Sequence, residues 1–212
     1  MFPTEHTGST GACFFHADAK AERRFHEFKK LYAMARDYVL SQPHMMVLGE
    51  DPVVNHLLSS AGFAPHDIAV LRFSTKGKFV TALCVPTRLW KNPETRATIL
   101  EIKRDARRAR TSCILVPQKT IRAPVRAARS RLIARARSTA FSRKQVMMVM
   151  NHLDQVRIAT VSEAAGQVLG HDDPVGVVLA LIAEGLVTHD RSSPLGPETY
   201  ISARAEMKKA VS

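Results

Sequence analysis

Two apolar segments joined by a three-residue link constrain the fold of this chain more than any other feature. The segments span residues 66–74 and 78–85, and Thr75-Lys76-Gly77 joins them. Runs of this length rich in Val, Ile, Leu and Phe predict β-strands, and a short link that contains glycine predicts a tight hairpin. Pro86 ends the second strand. We therefore expect a sheet against which the neighbouring helices pack.

Helix signals lie before the hairpin. In residues 19–40, apolar side chains recur at three- and four-residue steps, which indicates an amphipathic helix that ends before Gln42-Pro43. Asp51 and Pro52 form the start signal of a second helix over residues 53–60, with the aspartate as N-cap. Residues 1–18 show no such pattern and are predicted to be a poorly ordered N-terminus.

The pattern after the hairpin is helix, strand, helix. Asn92-Pro93-Glu94 opens a helix, and residues 113–116 (CILV) predict a strand that is buried on both faces. Pro124 begins a basic helix that extends to about residue 138. The predicted apolar stripes are Ile99, Ile102, Ala106 and Ala109 on the first helix, and Val125, Ala128, Leu132 and Ala136 on the second. The order predicts an α/β (α+β) domain over residues 19–138, with helices flanking a small mixed sheet.

From residue 142 onward the pattern is helix, short strand, helix, turn, helix and hairpin. This order is typical of a winged helix, which we predict over residues 142–203, followed by a tail over 204–212. Its third helix (PVGVVLALIAE) offers almost no side chain that could hydrogen-bond to a base edge. Residues 145–212 carry a net charge of −3, and the wing loop contributes one arginine, Arg191. The unit is therefore predicted equally well as a protein-interaction or homodimerisation module and as a base-reading one.

Positive charge is concentrated in one segment. Residues 88–144 contain 17 Lys and Arg against three acids, whereas the whole chain has a net charge of +12. Each Lys or Arg that neutralises a phosphate releases condensed counterions, so this segment predicts a nucleic-acid partner, and double-stranded DNA above all. The candidate phosphate contacts are Arg104, Arg107, Arg108, Arg110, Lys119, Arg122, Arg126, Arg129, Arg131, Arg135, Arg137, Arg143 and Lys144.

Several function classes have no support in the sequence. Its apolar runs are too short to span a bilayer, and the N-terminus lacks a signal-peptide pattern, so we expect a cytoplasmic protein without a membrane partner. The three cysteines and nine histidines show no metal-ligand spacing, and no phosphate-binding glycine loop or G-x-S-x-G turn is present. We therefore expect no metal site and no cofactor.

One short string has the appearance of a catalytic motif. Glu101-x-Lys103 matches the acid-x-Lys half of a metal-dependent nuclease site, in which a carboxylate holds the cation and a lysine supports the attacking water. The string lies within the helix that Asn92 opens, and side chains two positions apart on a helix point about 200° apart. We therefore expect it to be a solvated helix face. Gln118-Lys119 is a second candidate remnant, for which phosphate contact and simple solvation remain open.

Residues 65–121, PHDIAVLRF…LVPQKTI, resemble the N-terminal domain of TnsA-type transposon endonucleases, and the similarity in element order extends over about residues 19–135. The resemblance implies a restriction-endonuclease-like fold that cuts DNA with a divalent metal. It places Glu22 as the helix acid and Asp67 as the hairpin acid. The pair on the second hairpin strand falls at Ala82 and Cys84, which provide neither an oxygen ligand nor a cation. The resemblance thus implies a nuclease-like domain without its catalytic centre.

Three functional hypotheses follow. The first is a non-enzymatic DNA-binding protein with an inactive nuclease-like domain, acting in transcription regulation or as an accessory factor in recombination or mobile-element movement. The second is a metal-dependent endonuclease that uses Glu22, Asp67 and either Lys103 or Lys119. The third is a protein-interaction subunit whose basic surface docks an acidic partner.

Overall fold

The computed structural model describes the backbone of residues 12–204 and the side chains of residues 21–204. This part of the chain is a mixed α/β structure with nine helices and seven strands in two sheets. The elements are α1 (Ala12–Leu40), β1 (Met45–Gly49), α2 (Pro52–Ser60), β2 (Ala69–Thr75), β3 (Lys78–Val85), α3 (Thr87–Trp90), α4 (Pro93–Arg108), β4 (Cys113–Pro117), α5 (Gln118–Arg122), α6 (Pro124–Ala136), α7 (Arg143–Val156), β5 (Ala159–Thr160), α8 (Val161–Ala165), α9 (Pro174–Ala183), β6 (Val187–His189) and β7 (Tyr200–Ala203).

The predicted hairpin is the centre of a four-stranded mixed sheet in the order β1-β2-β3-β4. Strands β1, β2 and β3 are antiparallel, and β4 runs parallel to β3. Thr75 pairs with Lys78, and the two residues between them, Lys76 and Gly77, both have positive φ (48° and 76°). Positive φ at both central residues is the geometry that matches the twist of two hairpin strands. The predicted mixed sheet is confirmed.

Helices cover both faces of this sheet. Alternate residues of β2 and β3 point to opposite faces, so one face packs on α1 and the other on α2 and α4. The α1 layer contributes Leu31, Ala35 and Val39, and the opposite layer contributes Val54, Leu58, Ile99, Ile102 and Ala106. The side chains of Asp51 and Asn92 cap α2 and α4 as predicted, and the buried Asp51 carboxylate also accepts a hydrogen bond from Thr81.

Strand β4 differs from its prediction. It lies at the edge of the sheet and pairs with β3 on one side, so its prediction as a strand buried on both faces is wrong: Ile114 is 42% exposed. A short apolar run does not distinguish an edge strand from a central one, because an edge strand still packs one side chain in two against a helix. Ala109 is also exposed rather than in the apolar stripe, since α4 ends at Arg108.

The buried stripe of α6 is also different from the predicted one. Its buried residues are Ser130, Ile133 and Ala136, whereas Val125 and Leu132 are about 40% exposed. The helix packs on α1 along one side and on α9 along another, and these two contacts turn a serine inward and a leucine outward. An alanine- and arginine-rich helix has no strong apolar face, so tertiary contacts decide its rotation.

Some helix boundaries in the structure differ from the predicted ones. Helix α1 begins at Ala12, within the segment predicted to be poorly ordered, and α8 ends at Ala165, whereas the sequence pattern predicts a helix over residues 161–169. The short helices α3 and α5 were not predicted; Ile121 of α5 is buried against the α1 layer. The predictions for residues 1–11 and for the tail after Arg204 lie outside the described residues.

The order of helices and strands predicted from residue 142 onward is confirmed. Strands β5, β7 and β6 form a three-stranded antiparallel sheet, and Ser142 and Gln145 form a capping box at the start of α7. All residues of α9 from Gly176 to Ala183 are buried. Among the described residues no helix, α9 included, is long and apolar enough to cross a membrane.

Helix α6 joins the two halves of the described structure. Its residues Ile133 and Ala136 belong to the apolar core formed by α7, α8 and α9, although the sequence assigns α6 to the N-terminal domain. The guanidinium of Arg137, just after α6, donates hydrogen bonds to the carbonyl oxygens of Met45, Gln42 and Ala183. Arg137 therefore connects the α1–β1 turn to the end of α9, and these hydrogen bonds direct its guanidinium donors to carbonyl oxygens within the protein. Its role as a phosphate contact stays a prediction.

Replacing Arg137 by methionine is expected to destabilise the fold by about 2–3 kcal/mol, because three carbonyl groups at the junction lose a charged donor. Urea denaturation of Arg137→Met and of the matched Arg135→Met, an exposed arginine of α6, measures the difference. Equal stability of the two variants would contradict this role.

Candidate nucleic-acid interface

The segment that carries the positive charge does not form one continuous surface. Arg104, Arg107, Arg108 and Arg110 are exposed on or just after α4, in the layer on the α2 face of the sheet. Helices α5 and α6 pack on α1, which covers the opposite face. The sheet therefore separates the candidate phosphate contacts into two groups. On α4 the positive charges are also interspersed with acids, and Arg108 forms an ion pair with Asp105 at 2.8 Å.

The second group is free of acids. No Asp or Glu occurs between Asp105 and Asp154, and the part of this stretch from Lys119 to Lys144 holds nine Lys and Arg. Six of them are exposed and are called the α5–α7 bases below: Lys119, Arg122, Arg131, Arg135, Arg143 and Lys144. Among the described residues, none of the six has a carboxylate within ion-pair distance. Asp37 of α1 is the acid that interacts electrostatically with Arg131, while burial raises the pKa of Asp37.

The remaining arginines of α6 line a cleft of about 250 Å³, called the α6 cleft below. Three segments form its walls: the end of α1 and the following turn, the inner side of α6, and the end of β6 with the loop after it. The lining residues are Tyr38, Ser41, Gln42, Arg126, Arg129, Ser130, Ile133, His189 and Arg191. A larger cavity of about 540 Å³ adjoins it and shares Ser41, Gln42, His189 and Arg191. No acid lines either cavity.

Positive groups in the α6 cleft repel one another. Burial lowers the pKa of Arg129, and the neighbouring charges of Arg191 and Arg126 lower it further. Burial also lowers the pKa of His189 to about 4, with Arg129 and Arg191 acting in the same direction. The nearby Asp190 is exposed, and both of its carboxylate oxygens accept hydrogen bonds from Ser192. The cleft thus carries a net positive charge that this carboxylate opposes only weakly.

Hydrogen bonds to carbonyl oxygens position two of these arginines. Nη1 of Arg129 donates to the carbonyl of Arg191 at 2.9 Å, and Nη1 of Arg126 donates to the carbonyl of Thr120 at 3.0 Å. Because a guanidinium has five N–H donors, each side chain retains further donors. Nε2 of His189 is buried and has no hydrogen-bond partner among the described residues.

Sequence reasoning did not identify the cleft. It named Arg126 and Arg129 as phosphate contacts but assigned no function to Tyr38, His189 or Arg191. Arg129 and Arg191 are 62 residues apart, and no local pattern signals their approach.

The residues at the positions where the resemblance places a nuclease centre take part in other contacts. Ala82 and Cys84 are buried in the sheet face that packs on α1, and burial raises the pKa of the Cys84 thiol to about 12. Asp67 forms an ion pair with Arg88 at 2.7 Å. Glu101 and Lys103 are both exposed on α4, which confirms that this string lies on a helix. Within the described residues, no three His, Cys, Asp or Glu side chains converge in a way that could hold a metal ion.

Helix α9 lies at the position of the third helix in the C-terminal unit. It cannot present side chains to a DNA groove, because the residues after its first turn are all buried in the core shared with α6. Comparisons with protein-family models, with curated proteins and with solved structures find no match for the chain.

Acidification is expected to destabilise the protein through His189. Its folded pKa is about 4 against an ordinary 6.5, so the unfolded chain binds the proton first and stability is lost as pH falls from about 6.5 towards 4. Between pH 7.5 and pH 5, we expect the parent protein to lose about 1–2 kcal/mol more than His189→Gln does. Urea titrations at both pH values measure this difference, and an equal loss in the two proteins would contradict it.

Proposed function

We propose that this chain is a DNA-binding protein that grips phosphates through the α5–α7 bases. One observation carries the proposal: nine Lys and Arg follow one another without an acid from Lys119 to Lys144, and six of them are exposed without an ion-pair partner in the described part of the chain. Exposed bases that serve only for solubility are ordinarily interspersed with acids, as they are on α4. A one-signed surface attracts a polyanion and retains it by releasing counterions.

The contacts in this proposal position the protein without reading bases. Arginine and lysine side chains on phosphates carry no direct sequence information. The burial of α9 removes the helix that would otherwise enter the major groove. Any sequence preference would then come from the shape and deformability of the DNA, or from a partner.

The C-terminal unit would support binding indirectly. Its element order and its three-stranded sheet favour the interpretation of residues 142–203 as a winged-helix-like domain. In this proposal the unit holds α6 in place, since Ile133 and Ala136 lie in its core. Exposed apolar side chains, among them Ile158 and Tyr200 at above 60%, favour a further role in contact with a protein partner or a second copy.

The N-terminal domain would then be a nuclease-like scaffold without catalysis. Buried Ala82 and Cys84 and the Asp67–Arg88 ion pair support this part of the proposal. Such a protein would act in transcription regulation or as an accessory factor in recombination or mobile-element movement.

Binding to duplex DNA is expected to fall steeply with salt. Changing Arg122, Arg131 and Arg135 together to alanine should lower the affinity roughly ten-fold or more on every sequence, and should reduce the slope of log K against log salt by up to about three. Fluorescence anisotropy over a salt series measures both quantities.

The triple variant Arg104→Ala, Arg107→Ala and Arg110→Ala provides the matched control, because it removes the same charge from α4. We expect its affinity to stay within about three-fold of the parent value, since these arginines lie on the opposite side of the sheet. Binding that does not depend on salt, or no binding, would refute the proposal. A larger loss in the α4 variant would place the interface on the other face.

Supercoiled plasmid is expected to remain intact in the presence of Mg²⁺ or Mn²⁺, because Ala82 and Cys84 stand where the resemblance puts a catalytic pair. Gel electrophoresis after prolonged incubation checks this outcome. Nicking by the parent protein that Asp67→Ala abolishes would favour the endonuclease hypothesis.

A further inference from the structure

The α6 cleft is separate from the exposed α5–α7 bases. Its arginines, Arg126 and Arg129, are half-buried on the inner side of α6, and Arg191 reaches it from the loop after β6. Three arginines therefore line a cavity of about 250 Å³, with Arg191 at its exposed side, and the charges of Arg126 and Arg191 act on Arg129. Among the described residues, no carboxylate lines this cavity. Like charges in a partly desolvated place repel one another more strongly than in water, so this arrangement costs free energy in the absence of an anion.

Hydrogen-bonding capacity in the cleft is also unfilled. His189 lines the cleft, and its Nε2 is a buried polar atom without a hydrogen-bond partner in the part of the chain that the structure describes. Buried polar atoms of this kind are uncommon, and a missing ligand is one of their ordinary explanations. Arg126 and Arg129 use one N–H each on a carbonyl oxygen, and this fixes each guanidinium while leaving other donors available.

We propose that the α6 cleft is a binding site for a single phosphate group, held by Arg126, Arg129 and Arg191 with Nε2 of His189 as an additional hydrogen-bonding group. A phosphate group fits this set better than a carboxylate does. The phosphate group presents several oxygens in a tetrahedral array, so it accepts hydrogen bonds from more than one guanidinium at once. A carboxylate has only two oxygens, which lie in one plane, and a single charge.

The adjoining cavity of about 540 Å³ would hold the rest of the molecule that carries the phosphate group. It shares His189 and Arg191 with the cleft and is also lined by His44, Lys76 and Arg204, so its walls contain further positive or neutral groups. The attached group is either a nucleic-acid strand or a free phosphate compound. The inference rests on the proposed function only for the first of these two sources.

The first experiment uses inorganic phosphate as the probe. The imidazole proton signals of the full chain are recorded by NMR during a phosphate titration at pH 7, with chloride at equal ionic strength as the reference, and His189→Gln assigns the signal. We expect phosphate, and not chloride, to shift the His189 signal. An equal effect of the two salts, or no shift with either, would overturn the inference.

Charge-removing variants provide the second experiment. The pair Arg129→Gln and Arg191→Gln should weaken phosphate binding at least about ten-fold, while the matched pair Arg104→Gln and Arg107→Gln, exposed on α4, should leave it unchanged. If the first pair fails to fold, Arg126→Gln replaces it, because Arg126 bonds only an exposed carbonyl among its described contacts. Equal weakening in the cleft and control variants would also overturn the inference.

A duplex DNA titration identifies the source of the phosphate group. If DNA displaces phosphate from the cleft and shifts the His189 signal, the ligand is a phosphate of nucleic acid. If phosphate binds but DNA does not, the ligand of the cleft is a free phosphate compound and the proposed function fails. If DNA binds in a salt-dependent manner without affecting His189 while phosphate still shifts its signal, the ligand of the cleft is a free phosphate compound and the proposed function stands. If DNA binds and neither DNA nor phosphate affects His189, the cleft inference fails and the proposed function stands.

Discussion

The described structure depends on the packing of α6 between α1 and α9. Along one side, α6 follows α1, where the hydroxyl groups of Ser41 and Ser130 lie 3.2 Å apart. Along another side, Ile133 and Ala136 complete the core around α9. Arg137 then donates to carbonyl oxygens from both halves. Because a single helix packs on α1 and also completes the core around α9, its rotation is determined from both sides, and so is the direction of every arginine on it.

The rotation of α6 places its arginines in two different environments. Arg131 and Arg135 face solvent, where a guanidinium is hydrated at little cost and can meet a phosphate by long-range attraction. Arg126 and Arg129 face the cleft, where burial and mutual repulsion lower the pKa of Arg129. The exposed arginines suit a diffuse contact with a polyelectrolyte, and the arginines of the cleft suit a single localised anion. Both belong to one helix, so a DNA strand that follows α6 would pass close to the mouth of the cleft.

Local chemistry made much of the fold predictable. The Lys76-Gly77 turn and the Asp51 and Asn92 caps are formed by neighbours in sequence, and the structure contains each of them. Predictions failed where the decision depends on distant residues. Ile114 is exposed because no strand lies beyond β4, and Leu132 is exposed because α1 and α9 select a different side of α6. For the candidate site, composition identified Arg126 and Arg129. Arg191 and His189 line the same cleft only because the fold brings distant residues together, as in the hydrogen bond between Arg129 and Arg191 across 62 residues.

The sequence by itself determined the amount and sign of the charge, the absence of acids from 106 to 153, and the order of the helices and strands apart from the short helices α3 and α5. These properties follow from composition and from interactions between near neighbours. Only the tertiary structure decided that α4 and α6 lie on opposite sides of a sheet, that Arg137 is a structural link, and that three guanidinium groups share a cleft with His189. These properties depend on which faces the two cores bury, because burial of apolar area selects the rotation of each helix and the charged side chains follow it.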